Sequence, residues 1–125
     1  MKIATITARS LLGLIFVVFG LNGFLHFLHM PPPTNPTAVQ FFTALAISGY
    51  ISVVFALQIL GGLLLLVGLV PLGLTILCPI LVNITLFHSL MDPAHILHAI
   101  IPDLLALFLL WRYWANFASL LRPNA

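Results

Sequence analysis

Seven polar side chains are candidates for chemistry: Asn22, His26, Gln58, Asn83, His88, His98 and Asp103. All are types that hydrogen-bond, and the histidines and the carboxylate also move protons or bind metals. Asn22, His26 and His29 are spaced i, i+4, i+7, which is one face of a helix. Asn83 shares a face with Phe87, with His88 to the side. His95, His98 and Pro102 share another, and Asp103 adjoins it. Two histidines on facing helices, such as His26 with His88 or His98, would make an axial haem pair. No HExxH or CxxCH run supports that reading, and no metal ligands are assigned. Ser89 and His88 are neighbours in sequence, which is not a catalytic geometry. There is no glycine-rich phosphate loop or nucleophile elbow, so no independent catalytic activity is expected.

The elements that must position these residues follow from composition. The chain has 125 residues, 62% hydrophobic and 5% charged, where a soluble domain carries about 25% charged residues. So few charges cannot solvate a globular surface, so the apolar remainder must face lipid. Four Lys/Arg against two Asp/Glu give a net charge of +2. No basic stripe is expected for nucleic acid, and no Lys/Arg cluster for anionic lipid head groups. Cys78 is the single cysteine, so an intrachain disulfide and a CxxC redox pair are both excluded. One domain, residues 1–125, is expected.

The expected fold is all-α: a four-transmembrane-helix bundle with a short extra helix before the second span. The first span is read from Ile3 to Leu28. Lys2 and Arg9 before an apolar run suggest a signal peptide, but the run from Leu11 to Leu28 exceeds the usual core of about 7–15 residues. It is read as a retained span. Pro31, Pro32 and Pro33 then stop the helix. Asn35-Pro36 reads as an N-cap with proline at the first helical position, opening a short helix to Ser48. Its apolar stripe is expected to be Val39, Phe42 and Ala46. It either lies in the interface plane or begins the second span. The second span is read from Ile51 to Val70, with a turn at Pro71-Leu72-Gly73. The third runs from Leu74 to Leu90 with a kink at Pro79, and the fourth from a cap at Asp92-Pro93 to Trp114. Lys2, Arg9, Arg112 and Arg122 all flank the same side, which the positive-inside rule makes cytoplasmic for both termini. Trp111, Tyr113 and Trp114 read as an aromatic belt there.

Polar groups in hydrocarbon are costly, so their depth is informative. A rise of about 1.5 Å per residue puts Asn22 roughly 9 Å below the outer end, Gln58 and Asn83 roughly 10 Å, His98 roughly 8 Å and Asp103 about 15 Å. Every span thus gives the outer half a polar group. The plainer reading is that Asn22, Gln58 and Asn83 bond across helices as packing glue, that Asp92 is a helix cap, and that His29, His88 and His95 are solvated. Gly61, Gly62 and Gly68 read as sites of close helix approach. Asp103 is the only carboxylate well inside a span, and its expected partners are Asn22, His26, Gln58 or Asn83.

Three stretches carry a likeness to a known family: Ala8-Arg9-Ser10-Leu11-Leu12-Gly13-Leu14-Ile15-Phe16 with Gly20-Leu21-Asn22, Gln58-Ile59-Leu60-Gly61-Gly62 to Gly68, and Asn83 through Phe87-His88 to Asp92-Pro93 with Leu109-Leu110-Trp111-Arg112 and Phe117. In their order and spacing the chain resembles the DoxX and DoxX-like membrane proteins. The resemblance implies a four-helix bundle of the bacterial inner membrane, associated with a redox or stress-response system and, in some relatives, with quinone-coupled oxidation. The ligand is unknown; the resemblance suggests a quinone, and the five histidines, less readily, a haem. The partners it suggests are the lipid bilayer and a membrane or periplasmic oxidoreductase, with a homo-oligomer left open and no nucleic acid. Relatives commonly have glutamate where Gln58 stands, so a proton-relay role does not carry over to that position. The alternatives are a haem- or metal-binding bundle and a small transporter or lipid-binding bundle.

Overall fold

The structure, a computed structural model, describes residues 2–123. It is all-helical, 84% helix, with no strand among the described residues. The helices are α1 (Lys2–Leu25), α2 (Pro36–Ser48), α3 (Tyr50–Leu66), α4 (Val70–Leu90), α5 (Leu97–Arg112) and the short α6 (Trp114–Phe117). Pro93–His95 and Ala118–Leu121 are 3-10 turns. α1 and α4 are each long and apolar enough to cross a membrane. The count rises to four if the bent pairs, α2 with α3 and α5 with the segment Trp114–Leu121, are each one span.

Four helices close a ring: α1 packs on α3, α3 on α4, α4 on α5, and α5 on α1. Neighbours run antiparallel. Gly13 of α1 meets Gly62 of α3, Thr85 of α4 meets Asp103 of α5, and Arg112 at the end of α5 meets Thr5 near the start of α1. The Gly13–Gly62 approach is backbone to backbone. A Cβ on Gly62 would stand 2.7 Å from the Gly13 carbonyl oxygen, so only small residues allow this crossing.

The two ends of the ring differ. Leu12, Leu65, Val70, Leu74, Leu77 and Leu109 are fully buried, and all lie toward the end holding the α1 N-terminus and the α5 C-terminus. The other half is built around a cavity. Outside, Leu11, Leu14, Leu57, Leu60, Val82, Leu86, Leu104 and Leu107 are exposed, an apolar exterior consistent with a membrane protein.

Several boundaries differ from the sequence expectation. α1 ends at Leu25 rather than Leu28, because His26 turns into the left-handed region (φ 53°). α2 matches its expected bounds, and Asn35 Oδ1 accepts from Thr37 N–H at 2.8 Å. Gly49 (φ 78°) then bends the chain by 86°, so α2 lies across α3 rather than extending it. Ala38 is its one buried residue; the expected stripe residues Val39, Phe42 and Ala46 are exposed, although Phe42, like Phe41, meets the Phe87 ring. The turn after α3 falls at Val67–Leu69 instead of Pro71–Gly73. Gly68 takes φ 95° there, and proline is well placed inside the first turn of α4. Gly68 is thus a turn residue and not a packing site. Pro79 and Pro102 both lie within helices. Asp92 makes no side-chain cap bond.

Candidate ligand-binding site

A cavity of about 590 Å³ opens where the C-terminal end of α1, the N-terminal half of α3, the C-terminal end of α4 and the start of α5 converge. Its wall is mainly apolar and rich in aromatic rings: Phe16, Phe19, Phe42, Phe55 and Phe87, with Ile15, Ile84 and Ile101. Met30, Pro31, Pro32 and Pro33 of the α1–α2 loop also line it. The loop is held by α1 itself, since Asn22 Oδ1 accepts from Leu28 N–H at 2.7 Å.

Five of the seven candidate residues line this cavity: Asn22, His26, Gln58, His88 and His98. Asn22 and Gln58 are the two buried polar side chains among the described residues. Gln58 is 7% exposed, and no hydrogen bond links its carboxamide to another described residue. Among the described residues no fully buried side-chain N or O lacks a partner, so the Gln58 polar atoms face the open space of the cavity. The carboxamide offers one carbonyl oxygen and two N–H donors there. Asn22 spends its carbonyl oxygen on Leu28, which leaves its amide nitrogen as the donor.

The mouth holds three imidazoles. The ring centroids of His88 and His98 are 5.8 Å apart and edge-on, and those of His95 and His98 are 5.6 Å apart and stacked. His88 Nδ1 lies 3.0 Å from the Ile84 carbonyl oxygen. A carbonyl only accepts, so Nδ1 carries the proton and Nε2 is left for a ligand. His95 is fixed the same way, its Nδ1 3.0 Å from Asp92 Oδ2. Sequence reasoning missed this pair, reading Asp92 as a cap and His95 as a solvated side chain. The signal was the i, i+3 spacing across Pro93, since a 3-10 turn brings residues three apart together.

Two candidates lie elsewhere. Asn83 is exposed on the outer face of α4, and its Nδ2 donates to the Pro79 carbonyl oxygen at 2.8 Å. A polar side chain facing outward satisfies itself on its own helix, so its presence in a span did not require a site. Asp103 is off the cavity, and none of its expected partners contacts it. Thr85 Oγ1 lies 2.6 Å from Asp103 Oδ2 and 2.8 Å from the Leu81 carbonyl oxygen. With one hydroxyl proton, Thr85 donates to one of them at a time. This bond ties α4 to α5. His29 is exposed and does not line the cavity.

No group of three His, Cys, Asp or Glu side chains among the described residues has the geometry to hold a metal ion. The wall is apolar and aromatic with a few polar groups, the general character of small-molecule sites. No protein-family model, curated protein or solved structure matches the chain.

Proposed function

We propose that this chain is a four-span membrane protein of the DoxX type, in a bacterial inner membrane, whose cavity holds a quinone and serves a redox or stress-response system. The observation that carries the reading is the cavity itself. Phenylalanine rings supply flat apolar walls, and unpartnered Gln58 supplies a donor at depth. The size suits a quinone head, since ligand sites of this kind span about 300–1,000 Å³. The residues also suit both redox forms. Gln58 and Asn22 N–H groups match carbonyl oxygens, and His88 Nε2 matches a hydroxyl. A bound quinone supplies two-electron chemistry, and the residues of this chain bind and orient it.

Each bent pair then contributes one span, made by α3 and by α5, with α2 lying at the outer surface. The ring of antiparallel helices puts Lys2, Arg9 and Arg112 at one end and the cavity at the other. By the positive-inside rule both termini are cytoplasmic and the cavity opens outward. A periplasmic or membrane oxidoreductase would meet the ligand at the histidine mouth.

Titration of the detergent-solubilised protein with a short-chain ubiquinone tests the reading. Saturable binding is expected, weakened about tenfold in Gln58→Leu, as one lost buried hydrogen bond of about 1–1.5 kcal/mol implies. Absence of saturable binding, or equal affinity in Gln58→Leu, counts against it.

A further inference from the structure

The opposite end of the bundle carries a second feature. Lys2 and Arg9 lie two turns apart on α1, and Arg112 at the end of α5 joins them, so that all three line one cleft of about 440 Å³ with Thr5, Ile6, Gly68 and Tyr113. Three of the four Lys/Arg side chains of the protein therefore converge. The cleft is braced by its own members. Arg9 Nη1 donates to the carbonyl oxygens of Leu65 and Leu66 at 2.8 Å each, closing the C-terminal end of α3. Arg112 Nε donates to Thr5 Oγ1 at 3.0 Å, and its guanidinium lies 5.9 Å from the Trp111 ring centre.

No carboxylate side chain balances these charges. The chain has two acidic residues; Asp92 is at His95 and Asp103 is at Thr85. Each guanidinium has five N–H donors, and these contacts use one nitrogen on each. The positive-inside rule needs cations near this surface, but it does not need them to share a cleft.

We infer that this cleft binds a phosphate group, the source being the head group of an anionic phospholipid. Arg9 and Arg112 supply forked donors that match phosphate oxygens, and Lys2 supplies a point charge. Its place beside the exposed apolar ends of α1 and α5 lets an acyl chain run down the bundle while the phosphate stays in the cleft. This site is independent of the quinone cavity and stands whether or not a quinone binds.

The test is native mass spectrometry of the detergent-solubilised chain, titrated with dioleoyl phosphatidylglycerol or dioleoyl phosphatidylcholine, with and without inorganic phosphate. Preferential binding of the anionic lipid is expected, about fivefold weaker in Lys2→Gln and about 25-fold weaker in Lys2→Gln/Arg112→Gln, since each cation near the surface contributes about a factor of five. Inorganic phosphate that leaves lipid binding intact assigns the site to lipid, and millimolar phosphate that displaces it assigns the same chemistry to a soluble phosphate. Lys2 is exposed, so its single variant reports even where the double variant fails to fold. Equal binding of the two lipids, or an anionic preference unchanged in Lys2→Gln, overturns the inference.

Discussion

His26 shows how a single residue reconciles stability with a site. Its backbone sits at φ 53°, a region that glycine adopts freely and other residues enter at a cost of about 1–2 kcal/mol. The ring nonetheless lines the cavity. His26→Gly should therefore raise stability by about 1 kcal/mol while weakening ligand binding, checked by thermal melting in detergent beside a quinone titration. Asp103 should behave in the opposite way. Its bond to Thr85 is structural, so Thr85→Val should lower stability by about 1 kcal/mol and leave ligand affinity unchanged. Sequence depth singled out Asp103 but could not give its partner. Threonine in a helix commonly bonds its own i−4 carbonyl, as Thr85 also does to Leu81, so nothing in the sequence marked its second contact. Asn83 was misread for the same reason, since its bond to Pro79 is local.

At the scale of elements, the existence of α1 to α5 was legible because apolar length and proline stops act locally, whereas the short α6 after Trp114 was not expected. Asn35-Pro36 placed the start of α2 correctly. The turns were less legible. Pro71 and Gly73 look like a turn in sequence, yet proline opens α4 and Gly73 packs against Leu65, while Gly68 makes the turn. Composition alone cannot tell a turn glycine from a packing glycine. Gly62 belongs to the second kind. Gly62→Val would drive a side chain into the Gly13 carbonyl and separate α1 from α3, with an expected loss of about 2 kcal/mol, read as a lower melting temperature in detergent. Arg9→Ala should cost a similar amount, about 1.5–3 kcal/mol, because charge-assisted bonds to the last carbonyls of α3 are lost.

For the whole molecule, the composition foretold an apolar exterior and polar groups gathered toward one end, and the cavity lies where Asn22, Gln58, His88 and His98 converge. The sequence set Lys2, Arg9 and Arg112 on one side, but not in one cleft, because closure of the ring by α5 on α1 is a tertiary fact that joins the two ends of the chain. The result is a bundle with a packed half next to the cations and an open half next to the histidines. The proposed topology is checked by labelling with a membrane-impermeant maleimide in a Cys78→Ser background. Thr34→Cys should label in spheroplasts, and Ser119→Cys only after permeabilisation.

The central claim is that the aromatic cavity holds a quinone. Purification of the chain in mild detergent, followed by organic extraction and mass spectrometry, measures this directly. A quinone retained at close to one per bundle, and lost in Gln58→Leu, is the predicted result. A chain that carries no quinone from quinone-replete membranes, or that carries it equally with Gln58→Leu, would contradict the claim.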